Sequence, residues 1–94
     1  MTGNGAASDR SDVRDRTLAI LQQVTGDADV LADPDLPLYT SGLVDSLATV
    51  SLIVAFEESF GLTISPAEFD REAWATPRAL VADIERRMAQ EPSA

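Results

Sequence analysis

The segment from Ser46 to Phe60 constrains the fold most. Thr49, Ile53, Phe56 and Phe60 recur at helical spacing, and Leu47, Val50 and Val54 make a second, displaced stripe. Asp45 is a good N-cap and Gly61 a natural stop. These signals predict a central helix over 46–60, about 22 Å long at 1.5 Å per residue. A helix with two apolar stripes is either buried on most sides or presents one stripe to a partner.

Other helices flank it. Val13, Leu18, Leu21 and Val24, with Ile20 beside them, predict a helix from Asp12 to Thr25. Ser11 or Asp12 can cap it and Gly26 can end it. Asp27 to Asp45 has no clear period and holds Pro34, Pro37 and Gly42. Nineteen residues make a long connection, and Leu31, Leu36, Leu38, Tyr39 and Leu43 predict an ordered loop pinned to the core. After the link Leu62-Thr63-Ile64, the run Ser65-Pro66-Ala67-Glu68 reads as a capping box with proline at the first helical position. It predicts a short helix to about Glu72, with Phe69 facing the core. Thr76-Pro77 repeats the cap-plus-proline start, and a last helix is expected over Pro77–Ala89 with Leu80, Val81, Ile84 and Met88 inward.

Together these elements predict an all-α protein, a small four-helix bundle. It has three main helices, one short helix and a long first loop. Residues 1–11 read as a disordered tail, 12–90 as one folded domain and 91–94 as a second tail. Ninety-four residues suit a single domain.

Composition excludes whole classes of chemistry. The chain has no histidine, cysteine or lysine; seven arginines face sixteen acids, for a net charge of −9. Disulfides, thiolate nucleophiles and thiolate metal sites are absent, as is a Ser-His-Asp triad. The usual ligands of zinc, copper and haem are missing. The acidic balance disfavours nucleic acid. No apolar run approaches the ~20 residues of a membrane span, and the N-terminus has no apolar signal region, so the expected compartment is the cytoplasm. The spaced aspartates suggest a calcium loop but fail the EF-hand pattern. Counted from Asp27, position 6 is Ala32 rather than glycine and position 12 is Leu38 rather than glutamate.

The charge is unevenly placed. From Thr17 to Asp70 the chain holds nine acids and no base, so the whole excess lies in the middle of the sequence. Such a face either aids solubility or steers basic partners. Glu57 and Glu58 fall in the last turns of the central helix, where the macrodipole disfavours anions by some tenths of a kcal/mol.

Gly42-Leu43-Val44-Asp45-Ser46-Leu47 sets a serine at the start of a helix after a long loop. Ser46 is either one more capping-region serine or a hydroxyl displayed at the bundle end, where helix termini favour a phosphate. The stretch from Leu38 through Met88 resembles the acyl and aminoacyl carrier protein family, and the likeness extends over roughly Val13 to Met88. The family's mark is an Asp-Ser-Leu triplet opening the second helix, here Asp45-Ser46-Leu47. The pattern Gly-Leu-Val-Asp-Ser and the run from Glu68 to Pro77 look most like D-alanyl carriers and standalone carriers of natural-product pathways. Ala48 and Ser51 stand where fatty-acid carriers usually have acids.

The resemblance implies a non-catalytic carrier with a 4′-phosphopantetheine arm on Ser46, taken from coenzyme A. It implies partner contacts through Asp45, Leu47, Val50, Val54, Glu57 and Glu58. The implied partners are a phosphopantetheinyl transferase, an adenylating acyl or aminoacyl ligase and a downstream acyltransferase or synthase. The implied cargo is an acyl or aminoacyl thioester, in polyketide or nonribosomal peptide biosynthesis or in D-alanyl transfer. The competing expectation is an unmodified helical interaction module that docks through Leu47, Val50 and Val54. A serine hydrolase would lack a histidine or lysine base.

Overall fold

In the computed structural model, residues 5–65 and 70–90 are described, with side chains from Asp12 onward. Helix α1 spans Gly5–Thr25, α2 Asp29–Ala32, α3 Ser46–Phe60 and α4 Pro77–Gln90, with a 3-10 turn over Arg71–Trp74. No strand occurs among the described residues. The architecture is the small all-α bundle that the periodicity predicts.

The glycine stops act as expected. Gly26 and Gly61 both sit at φ 71°, the left-handed conformation that glycine adopts at least cost. Their N–H groups return to the carbonyls of Gln22 (2.7 Å) and Glu57 (2.9 Å). At the start of α4 the Thr76 hydroxyl accepts from Ala79 N–H at 3.1 Å, with Pro77 in the position that needs no donor.

Two local expectations change, and a third lies largely outside the described residues. Helix α1 begins at Gly5 rather than at a Ser11 or Asp12 cap, so it takes in residues 5–11. Ala6 and Ala7 have the highest helix propensity, and nothing between them and Asp12 breaks a helix. Within the long loop, Asp29–Ala32 forms one helical turn. That turn rotates Val30 inward, 1% exposed, and leaves Leu31 about half exposed rather than pinned. Third, the expected Ser65–Glu72 helix falls largely on residues 66–69, which lie outside the described residues, as does Phe69. Beyond them, Asp70 Oδ1 accepts from Glu72 N–H at 3.0 Å and starts the 3-10 turn there.

One apolar cluster joins the elements. Leu21 comes from α1 and Val30 from α2, with Leu38 and Val44 from the loop. Leu52, Ile53 and Phe56 come from α3, Leu62 and Ile64 from the link, and Trp74, Leu80 and Ile84 from the C-terminal part. Phe56 meets Trp74 edge to face, ring centroids 5.5 Å apart, and the exposed end of α3 is held by Arg16. That guanidinium donates to the Ser59 carbonyl at 3.0 Å and lies over Phe60. It thus places a cation at the negative end of the helix.

Asp83 is the charged group of the interior, 5% exposed. Trp74 Nε1 donates to its Oδ2 at 2.8 Å and Arg87 Nε to the same oxygen at 2.7 Å, while Arg86 pairs with Oδ1. Burial by itself pushes this carboxyl up. The hydrogen bonds from Arg87 and Trp74, with both arginine charges, outweigh burial and hold it below the usual carboxylate range. The folded state therefore prefers the ionised form. That contribution is complete above the unfolded carboxylate range and is lost as pH falls through the lower folded value. Asp83→Asn is expected to cost about 2–3 kcal/mol near pH 7, from weakened bonds to charged donors. Thermal melts of both proteins from pH 7 to pH 2 check this: the gap in Tm must shrink as acid neutralises the wild-type carboxyl.

Candidate functional site at the start of α3

The loop before α3 is built to deliver one residue to a fixed place. Leu38 and Val44 are buried, 1% and 2% exposed. Leu38 N–H donates to the Ala75 carbonyl at 2.9 Å, and Val44 N–H donates to the Leu38 carbonyl at 3.0 Å. Between them Gly42, at φ 85°, turns the chain in a conformation that side chains rarely adopt. Asp45 then stands extended, and its Oδ1 accepts from Ala48 N–H at 2.8 Å. This is the expected N-cap, and it makes Ser46 the first residue of α3.

Ser46 is exposed. Its hydroxyl stands at the N-terminal end of α3, one residue after the cap that binds Ala48 N–H. Leu47 is 76% exposed, Val50 50% and Val54 46%. With the exposed Glu58 they follow the i, i+3, i+7, i+11 line along the outer face. The other stripe (Thr49, Ile53 and Phe56) is buried, joined by Leu52. Phe60 closes it half-buried. The second stripe is thus displayed among the described residues.

Two acids that the sequence groups together do different things. Glu57 is half-buried, and its Oε2 accepts from Ile64 N–H at 3.1 Å, tying the link after α3 back to the helix. Glu58 is exposed and points outward with the apolar stripe. Asp45 is occupied by its capping bond.

Sequence reasoning missed three neighbours of Ser46. Tyr39 Oη lies 2.7 Å from Thr49 Oγ1, and Thr49 Oγ1 donates to the Asp45 carbonyl at 2.8 Å. The threonine proton is thus used, so the tyrosine is the donor between them. Burial pushes the Tyr39 phenol up, and the nearby Arg71 charge partly offsets that rise. Arg71 places its guanidinium 5.0 Å from the Tyr39 ring centroid and donates to Ser46 Oγ at 3.5 Å. The one sequence signal for Arg71 is that it ends the base-free run from Thr17 to Asp70.

Comparison with known proteins decides the family. The profile of the phosphopantetheine attachment site matches residues 15–84. The chain belongs to the acyl and aminoacyl carrier protein family. A D-alanyl carrier protein of Enterococcus faecalis is 38% identical over 73 residues, covering 78% of this chain and 94% of its own. That of Listeria welshimeri is 38% identical over 72 residues, covering 77% and 92%. That of Lacticaseibacillus casei is 38% identical over 74 residues, covering 79% and 91%.

The cofactor of this family is 4′-phosphopantetheine, and its members are carriers rather than catalysts. The residues at the start of α3 fit it. An exposed hydroxyl can accept the phosphoryl group, a cation stands within reach of the resulting anion, and solvent is open to a long arm.

The two glutamates separate in a stability measurement. Glu57→Gln is expected to lower stability by about 1 kcal/mol, since a neutral acceptor replaces a charged one at Ile64 N–H. Glu58→Gln is expected to change it by less than about 0.5 kcal/mol, as for an exposed site without partners. Urea denaturation of the two variants checks the contrast.

Proposed function

We propose that Ser46 carries the arm and that the chain is an aminoacyl carrier of the D-alanyl type. The observation that carries this reading is the exposed Ser46 residue, set by the Asp45 cap between the buried Val44 and the exposed apolar stripe that begins at Leu47. The relatives named D-alanyl carrier proteins support a small amino acid, D-alanine first, as cargo. Ala48 and Ser51, where fatty-acid carriers usually have acids, fit the same choice. A polyketide or nonribosomal peptide line would load the same arm with a different acid.

The attachment step is a phosphoryl transfer in which the chain supplies only the nucleophile. The Ser46 Oγ–H bond breaks and its proton passes to a base on a phosphopantetheinyl transferase. An Oγ–P bond forms as the pyrophosphate P–O bond of coenzyme A breaks, and 3′,5′-ADP leaves. The attached cofactor supplies the thiol that an adenylating ligase esterifies with the cargo. Tethering then raises the effective concentration of that cargo at an acceptor enzyme. Leu47, Val50 and Val54 give these partners a small apolar contact, and Asp45 and Leu47 flank the arm. Glu58 and the acidic middle of the chain steer encounter, whereas Glu57 serves mainly its own helix. Coenzyme A, ATP and such ligases share the cytoplasm, which is the compartment proposed. No helix among the described residues is long and apolar enough to cross a membrane.

Intact mass tests the reading. Wild-type protein incubated with coenzyme A and a broad-specificity transferase must gain one phosphopantetheine. Ser46→Ala must gain nothing while keeping its helical circular dichroism. A wild-type chain that gains no mass would instead be a docking module that uses its apolar stripe alone.

Charge reversal tests the steering. Glu58→Arg is expected to slow loading by the ligase several-fold at low ionic strength, through k_on, and to do so much less at about 1 M salt, where the Debye length is ~3 Å. Stopped-flow loading of the holo form at both salt concentrations reads this directly.

A further inference from the structure

Arginines in this chain are mostly committed to its own oxygens. Among the described residues Arg14 meets Asp15, Arg16 meets Asp12 and the Ser59 carbonyl, and Arg78 holds Asp35 through two bonds. Arg86 and Arg87 share Asp83. Arg71 differs: it makes no ion pair among the described residues, and its polar contact is the Ser46 hydroxyl. It is also held in place. Its guanidinium lies over Tyr39, whose hydroxyl is bound through Thr49 to the carbonyl of Asp45, the residue before Ser46. A cation held over an aromatic face has lost part of its rotamer freedom before it binds anything.

The distance is informative. At 3.5 Å the bond to a neutral hydroxyl is at the outer limit of hydrogen bonding. A phosphoryl group on that oxygen would bring anionic oxygens within reach of the guanidinium that now meets the hydroxyl. Phosphate oxygens are the partners that the guanidinium fork fits best. We infer that Arg71, seated on Tyr39, pairs with the phosphodiester at the root of the arm and fixes the direction in which the arm leaves the bundle. The inference rests on the reading that Ser46 carries the arm. Arg71 is a positioning residue, since the transferred cargo lies at the far end.

The test uses holo protein made with a transferase, for wild type, Arg71→Lys and Arg71→Gln, followed by phosphorus NMR at low salt and at about 1 M salt. Arg71 is exposed, so all three are expected to fold, and circular dichroism verifies it. At low salt the wild-type resonance must be offset from that of Arg71→Gln, with Arg71→Lys between them. High salt must collapse the offset. The Arg71 Nε–H resonance must also shift between apo and holo wild type. Identical phosphorus shifts in wild type and Arg71→Gln at low salt would overturn the inference while leaving Ser46 as the attachment point. If Arg71→Gln loads more slowly yet shows the wild-type shift, the guanidinium serves coenzyme A on the transferase, and the inference is also overturned. Absence of any mass gain in wild type would remove the attachment reading itself, and Arg71's role with it.

Discussion

The position of Ser46 depends on a buried clamp two residues upstream. Val44 has its side chain in the core and its N–H on the Leu38 carbonyl, and Leu38 in turn is tied to Ala75, just before α4. The loop is therefore bracketed from both sides of the bundle. One residue later the Asp45 side chain closes the first turn of α3. The change from fully buried at 44 to exposed at 46 leaves the serine no freedom to slide along the helix or retreat beneath the loop. A carrier needs that arrangement: a mobile arm presents cargo usefully only if its root is fixed.

Helix α3 does two jobs with two faces. Thr49, Leu52, Ile53 and Phe56 secure it to the core, and Phe56 locks against Trp74, which is itself held by Asp83. The opposite face keeps Leu47, Val50 and Val54 in water. A small exposed patch adjoining the proposed attachment point suits partners that bind briefly and in turn, because a larger one would resist release. Glu57 and Glu58 show how finely the two jobs are divided. Neighbours in sequence, one reaches back to the link at Ile64 and the other faces outward.

What could be read from the sequence was what local rules determine. The span of α3, its Asp45 cap, the Gly26 and Gly61 stops and the Thr76-Pro77 start each follow from a few adjacent residues. The displaced stripe of Leu47, Val50 and Val54 was visible as a period. The early start of α1 was not, because small polar residues suit a tail and a helix about equally and only Ala6 and Ala7 tip the balance. The exchange of Leu31 for Val30 in the core turns on a single helical turn inside a loop without period. The Arg71–Tyr39–Thr49 assembly was hidden for a different reason. Its members lie on three segments, and only the fold brings them to one end of the bundle.

That assembly also reconciles the chain's net charge with its cofactor. An excess of nine negative charges attracts basic partners but works against a phosphate on the same surface. Beyond a Debye length of about 8 Å the acidic field prevails and recruitment is unaffected by one cation. Within contact distance the guanidinium of Arg71 opposes that field at Ser46 Oγ, the oxygen proposed to carry the arm. Lysine would supply the same charge, but it would not offer a planar fork of donors. The two opposite electrostatic demands of a carrier, long-range attraction of basic surfaces and short-range tolerance of its own phosphate, are thus met at different distances by different residues.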